Sequence, residues 1–199
     1  MIGHETQKAE KLSAEDVARK QLDGKFAKEF DEFLKFIKEE KIRFPWKSIN
    51  GFKMVYKNKN IGGFMLGAGG WQDNNIETRN YFLIHIGTAD NDDYDEYLRG
   101  QPGEIVDLFM EQISSKCVHC RPTCGCSKAS GRTISVVGER YKNVCMNAPA
   151  FKFFASGDSM RTMTLCTPRA VYPPENVRPV SLDTVKALIS ARKAYVEKG

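Results

Sequence analysis

The chain has 199 residues, of which 41% are hydrophobic and 28% are charged, a composition typical of globular proteins and not of disordered ones. Its 30 basic and 25 acidic residues give a net charge of +5, and their interspersion favours an ordinary solvated surface over a nucleic-acid footprint. No apolar run reaches the roughly 18–20 residues of a membrane helix, and residues 1–11 lack the apolar core of a secretory signal. We therefore expect a cytoplasmic protein with no membrane partner, built as one domain over residues 13–199 after a flexible tail over residues 1–12.

The N-terminal region carries a helical pattern. Ser13 with Asp16 predicts a helix N-cap, and Gly24 predicts a break between a short helix and a longer one. The pattern ends before Phe44 and Pro45, because the residue preceding a proline is disfavoured in the α region. The apolar residues at helical spacing, which predict the buried stripe, are Val17, Leu22, Phe26, Phe30, Phe33, Leu34 and Ile37.

From Trp46 onward the spacing of the apolar residues is no longer helical, and it predicts strands. Apolar runs at 52–56 and 61–66 flank a polar turn and predict a β-hairpin, and the nearly continuous run at 81–86 predicts a central strand. A helix is predicted at 103–115 and another after Ser181, with further strands at 133–137, 151–154 and 160–165. Strands bracketed by helices indicate an α+β fold, with a mainly antiparallel sheet and helices on one face.

Five of the six cysteines fall between residues 117 and 145, which in a reducing compartment favours a metal site over disulfides. Cys117 and Cys120 are separated by two residues, so both thiolates can reach one ion, and Cys145 supplies a distant ligand. Cys124 and Cys126 compete for the remaining position, and His119 is a weaker candidate. The pattern predicts a structural zinc knuckle at 117–145. Unligated or redox cysteines are the alternative.

Other residues suggest a ligand site or an active site. An aromatic, glycine-rich mouth of the sheet predicts a small-molecule or partner-binding pocket lined by Trp46, Tyr56, Trp71, Tyr81 and His85. An enzyme using His85 with the carboxylates of residues 90–93 is one alternative, although the acidic run also fits a helix start.

A nucleic-acid-binding knuckle is the third function that the sequence leaves open. It would present four basic residues of the cysteine segment and the hairpin behind it, namely Arg121, Lys128, Arg132 and Arg140. No serine-centred elbow, metalloprotease helix motif or paired catalytic carboxylates support a hydrolase.

Several motifs of the chain occur together. They are Ile86-Gly87-Thr88 before an acidic helix start, Cys117-x2-Cys120, Cys126-Ser127, and Gly138-Glu139-Arg140-Tyr141-x2-Val144-Cys145. In this arrangement, over about residues 52–150, the chain resembles a group of uncharacterised bacterial proteins of the Firmicutes type that carry a similar cysteine knuckle. The resemblance implies Cys126 as the third metal ligand and Cys124 as an extra cysteine. It implies no activity.

Overall fold

The computed structural model describes residues 8–48, 50–67, 82–87, 94–114, 132–144, 150–156, 159–162 and 178–199. The helices within these residues are α1 (Ala14–Gln21), α2 (Gly24–Glu39), α3 (Asp95–Leu98), α4 (Gly103–Ser114) and α5 (Leu182–Lys198). The strands are β1 (Trp46–Ser48), β2 (Gly51–Tyr56), β3 (Lys59–Leu66), β4 (Phe82–Gly87), β5 (Arg132–Val136), β6 (Glu139–Val144), β7 (Ala150–Ser156) and β8 (Ser159–Thr162). None of the helices in this part of the chain has the length and apolar character needed to cross a membrane.

The main sheet has six strands in the order β1-β2-β3-β4-β7-β8, and every neighbouring pair is antiparallel. β5 and β6 form a separate two-stranded hairpin. The hairpin is joined to α3, because the Tyr94 N–H donates to the Ser135 carbonyl at 2.9 Å and the Gly138 N–H donates to the Asp95 carboxylate at 3.0 Å. The prediction of an α+β fold with an antiparallel sheet is confirmed.

The helices cover one face of the six-stranded sheet through a layer of phenylalanine rings. The Phe30 ring lies 5.4 Å from the rings of both Phe64 on β3 and Phe82 on β4, and the Phe26 ring packs edge-on against Phe82 at 6.1 Å. Farther along the sheet, Phe109 of α4 contacts a ring of β7. Aromatic pairs of this kind contribute about 0.5–1.5 kcal/mol each beyond the apolar area that they bury.

The helix boundaries follow the predicted signals. Ser13 caps α1 in a capping box, with its side chain accepting from the Asp16 N–H while the Asp16 carboxylate accepts from the Ser13 N–H. The predicted break between a short and a longer helix is confirmed at residues 22–23, directly before Gly24. Ser181 caps the last helix through the Thr184 N–H, so the predicted C-terminal helix is confirmed as well.

Three elements differ from the prediction. β1 is a three-residue edge strand and β6 is a strand rich in charge, and neither carries the apolar pattern that predicts a strand. The turn of the first hairpin is also shorter than predicted, because Lys57 and Asn58 both adopt positive φ and the second strand begins at Lys59. Residues 1–7 of the predicted tail lie outside the described residues.

Candidate functional site

The face of the six-stranded sheet opposite the helices carries a row of basic residues. On β4, His85 lies between Ile84 and Ile86, which are buried on the helix-covered face, so His85 itself is on the other face and is half-buried. The register makes Gly63 the β3 partner of His85, and Lys53 the β2 partner of Gly63. On the other side of β4, His85 pairs with residue 152 of β7, a lysine.

A second row runs beside the first. Met65 pairs with Leu83, Leu83 pairs with Phe154, and Phe154 pairs with Arg161 of the edge strand β8. Met65 and Leu83 are half-buried, so apolar surface lies next to the cationic row. We define the basic face as the sheet positions in these two rows, which run from Lys53 on β2 to Arg161 on β8.

The charge of the sheet is of one sign. None of the residues in its six strands is Asp or Glu, whereas the strands contain Lys47, Lys53, Lys59, Lys152 and Arg161. The side chain of Lys53 is exposed and forms no ion pair within the described part of the chain.

Lysines in the helix layer differ from Lys53 of the sheet, since many of them form ion pairs with carboxylates. Lys193 of α5 bonds to Glu40, and Lys38 of α2 bonds to Glu15 of α1. A hydrogen bond to Glu40 raises the pKa of Lys193. The positive charge of the helices is therefore largely compensated locally, and that of the basic face is not compensated by any acidic residue of the sheet itself.

Gly63 leaves a gap in the middle of the basic row. A Cβ at this position would lie 2.6 Å from the Phe52 carbonyl oxygen of the neighbouring strand, so the close approach of β2 and β3 requires glycine here. Because glycine has no side chain, position 63 places no side chain between Lys53 and His85.

The predicted ligand-binding residues are distributed over the sheet. Tyr56 is on the helix-covered face, where its hydroxyl donates to the Glu197 carboxylate and the Lys193 ammonium lies 4.9 Å from its ring centre. His85 is on the basic face, so the structure does not bring these two residues together. Trp46 lies on the edge strand β1 and is 38% exposed. Trp71 and Tyr81 lie outside the described residues.

Tyr56 and Glu197 form part of a polar cluster that joins the hairpin to α5. The hydrogen bond to Glu197 raises the pKa of Tyr56, and the same bond lowers the pKa of Glu197. Lys57 also approaches the Glu197 carboxylate, at 4.0 Å. This cluster fastens the first hairpin to the last helix, and we assign it a structural role.

The predicted zinc ligands Cys117, Cys120, Cys126 and Cys145 lie outside the described residues, as do Cys124 and His119. Within the residues that are described, no three His, Cys, Asp or Glu side chains come together as a metal site would require. Residues 90–93, Arg121 and Lys128 also fall outside. Arg132 and Arg140 are on the β5–β6 hairpin, where they occupy separate strands.

A cavity and a buried arginine lie apart from the basic face. An open cavity of about 200 Å³ lies beside the end of α5, and its lining is mixed in charge: Lys59, Glu96, Tyr195, Val196, Lys198 and Gly199. Arg192 of α5 is only 2% exposed, and its guanidinium lies 5.4 Å from the Tyr195 ring centre, beside the end of β4 at Gly87. Neighbouring Tyr97 is buried too, and burial raises the pKa of Tyr97. This arginine packs the last helix onto the sheet and is closed to solvent.

Sequence reasoning missed the basic face. The signal was present in the predicted strands, because none of the apolar runs assigned to the sheet contains Asp or Glu although the chain has 25 acidic residues. Residues 53 and 152 are far apart in the sequence, and only the strand order brings them into one row. The interspersion of charge along the chain concealed this separation in space.

The chain was also compared with known proteins. No family model matches it, and neither a curated protein nor a solved structure matches it. The fold and the charge distribution of the sheet are therefore the basis for assigning a function.

Proposed function

We propose that this protein binds an anionic ligand on the basic face of its six-stranded sheet. The observation that supports the proposal best is the row of Lys53, Gly63, His85 and Lys152 across four adjacent strands of a sheet without acidic residues. This proposal is a more specific form of the binding module that the sequence analysis predicts.

Electrostatics favour an anion at this position. Charges of one sign on a partly apolar surface reinforce each other, since a low-dielectric wall screens them less than bulk water does. Half-buried Met65 and Leu83 provide that wall beside the row. The exposed Lys53 ammonium can contact a ligand above Gly63 without first breaking an ion pair within the described residues.

The enzyme alternative has less support. It requires the carboxylates of residues 90–93 beside His85, and these residues lie outside the described part of the chain. The cross-strand partners of His85 are Gly63 and Lys152, and neither residue type provides a carboxylate for general acid–base catalysis. A binding role needs only the cations that the sheet itself provides.

We also propose that Cys117, Cys120, Cys126 and Cys145 hold structural zinc. The support is their spacing, together with the position of Cys145 directly after the buried Val144 that ends β6. Four thiolates would fill every position of a tetrahedral ion, so such a site would order its segment and would not bind substrate.

The anion proposal is tested by calorimetric titration with inorganic pyrophosphate. The Lys53→Glu variant removes one attraction and adds one repulsion, so its affinity should fall by about five- to thirtyfold. Lys28→Glu is the matched control, because Lys28 is exposed on α2 in the helix layer and the change in net charge is the same. Equal losses in the two variants would show a general effect of net charge and would remove the proposed site.

A further inference from the structure

We infer that the ligand of the basic face is a small amphiphilic carboxylate, a free organic acid with an aliphatic chain. This inference rests on the proposed anion-binding function and names the chemical class of its ligand. The anionic group lies above Gly63, and the chain lies over Met65 and Leu83 on the same face of the sheet. Three adjacent strands, β2, β3 and β4, form this site.

On these three strands, the basic face includes two neighbouring rows of three positions each. The first row is Lys53, Gly63 and His85, and the second is Gly51, Met65 and Leu83. Rows two residues apart along a strand are separated by about 6.7 Å, and neighbouring strands by about 4.8 Å. The first row carries the polar side chains and the second carries the apolar ones, so both lie within the length of one small molecule.

The first row can hold one anionic group. Lys53 and His85 are two strands apart, with about 10 Å between their Cα atoms, and Gly63 between them contributes no side chain. A carboxylate above Gly63 can accept hydrogen bonds from the exposed Lys53 ammonium on one side and from the His85 ring on the other. Even a neutral imidazole keeps one N–H donor, so this contact does not require a charged histidine. The sequences of β2, β3 and β4 contain no Asp or Glu that would take the place of the ligand.

The second row provides an apolar surface next to that group. Met65 and Leu83 are direct partners across β3 and β4, and both are half-buried, so part of each side chain is accessible on this face. A methylene that is fully transferred from water to an apolar surface tightens binding about fourfold, and contact on one side gives about half that free energy, or about twofold. An inorganic anion has no group that uses this row, whereas an aliphatic acid has one.

The size of the two rows favours a small acid over a larger partner. They extend about 10 Å across the strands and about 7 Å along them, whereas a typical protein interface covers about 800 Å² on each partner. Membrane surfaces are bound by apolar side chains that protrude, and Met65 and Leu83 are half-buried. The exposed large apolar residues of the described chain are Trp46 on β1 and Val137 on the turn between β5 and β6, and neither belongs to these rows.

The test is an NMR titration of the whole chain with acetate, butanoate and hexanoate. All three acids should shift the His85 ring signal, and hexanoate should bind about 15-fold more tightly than acetate because its chain is four methylenes longer. Hexanoate should also shift the Met65 methyl signal, which acetate should leave in place. Lys53→Glu should weaken the binding of all three acids by a similar factor, while Lys28→Glu on α2 should leave each affinity within about twofold of the wild type.

The Leu83→Gln variant tests the apolar row separately from the cationic one. It should reduce the advantage of hexanoate over acetate to about fourfold or less, while the affinity for pyrophosphate stays within about twofold of the wild type. Val137→Gln is the matched control, because Val137 is exposed on the turn of the separate β5–β6 hairpin, and it should leave the chain-length series intact. Met65→Gln takes the place of Leu83→Gln if the latter loses the circular dichroism spectrum of the native protein.

Three results would overturn the inference. The first is equal affinity for acetate and hexanoate in a protein that binds pyrophosphate through Lys53, which would leave the anion site in place and reject this ligand class. The second is binding of hexanol as tightly as hexanoate. The third is binding to phosphatidylglycerol vesicles through Lys53 without binding of hexanoate, which would assign the face to a membrane surface. Failure of pyrophosphate and of all three acids would reject the proposed function as well.

Discussion

Gly62 fixes the pairing of β3 with β4, and this pairing places Gly63 beside His85 on the basic face. Its φ is +151°, which L-residues rarely adopt. A Cβ at this position would lie 2.2 Å from the His85 carbonyl oxygen and 2.8 Å from the Met54 side chain. The methionine can rotate away, but the backbone oxygen belongs to the sheet. Gly62→Ala must therefore separate the two strands or distort them.

The cost can be worked out by comparison with Gly100→Ala. Gly100 also has positive φ, at +76°, but a Cβ there would meet no atom within 4 Å. That variant should lose only the conformational term of about 1 kcal/mol. Gly62→Ala has the same conformational term and adds a steric overlap with the backbone, which usually costs about 1–3 kcal/mol. We therefore expect its free energy of unfolding to fall by about 3 kcal/mol.

Thermal and urea unfolding of the two variants will measure this difference. For a chain of this length, each kcal/mol lowers the melting temperature by about 2–4 °C, so Gly62→Ala should melt about 6–12 °C below the wild type and Gly100→Ala about 2–4 °C below it. If Gly62→Ala loses no more stability than Gly100→Ala, the strands do not approach at residue 62. The register that defines the basic face would then be wrong.

Three further predictions concern the core, pH and the metal. Phe30→Ala removes a fully buried ring from the helix–sheet contact and should cost about 3–5 kcal/mol in urea unfolding, whereas a loss below about 1 kcal/mol would contradict the described packing. The bond from Tyr56 lowers the pKa of Glu197, so its stabilisation is present above the unfolded pKa of about 4.3 and is lost as the pH falls. Wild-type stability should therefore fall more steeply than that of Glu197→Gln between about pH 5 and 3, and parallel curves would show that the bond is not formed. Cys145→Ser should abolish bound zinc in elemental analysis and destabilise the protein by about 3 kcal/mol or more, and Cys124→Ser should do neither. A chelator should destabilise the proteins that bind zinc and should leave Cys145→Ser unchanged. Equal effects of the two cysteine variants would mean that the ligands were assigned wrongly.

Much of the fold was predictable because its signals are local. The capping box at Ser13 and the helical spacing of Phe26, Phe30 and Phe33 need only neighbouring residues to be recognised. The central position of β4 followed from its nearly unbroken apolar run. β6 was not predicted, since its sequence is mostly charged or polar and shows no strand pattern. It forms a strand because β5 provides the partners for its backbone hydrogen bonds.

The candidate site was predictable only in part. The face of His85 follows from local alternation, because Ile84 and Ile86 on either side of it are buried on the opposite face of β4. Alternation could not join His85 to position 152, because that pairing depends on the long connection that returns the chain to the far side of β4. Tyr56 was grouped with His85 by residue type, and the strand pleat puts it on the opposite face. Long-range strand order, which no local pattern encodes, decides which residues share a surface.

The central claim is that anions bind on the basic face, and the NMR signals of the histidine rings test it most directly. The chain has three histidines, His4, His85 and His119, so each ring signal can be identified from a single His→Gln variant. On titration with pyrophosphate, the His85 signal should move to saturation in the wild type and in Lys28→Glu, and much less in Lys53→Glu. A His85 signal that stays fixed while the His119 signal moves would contradict the account and would place the anion on the cysteine segment instead.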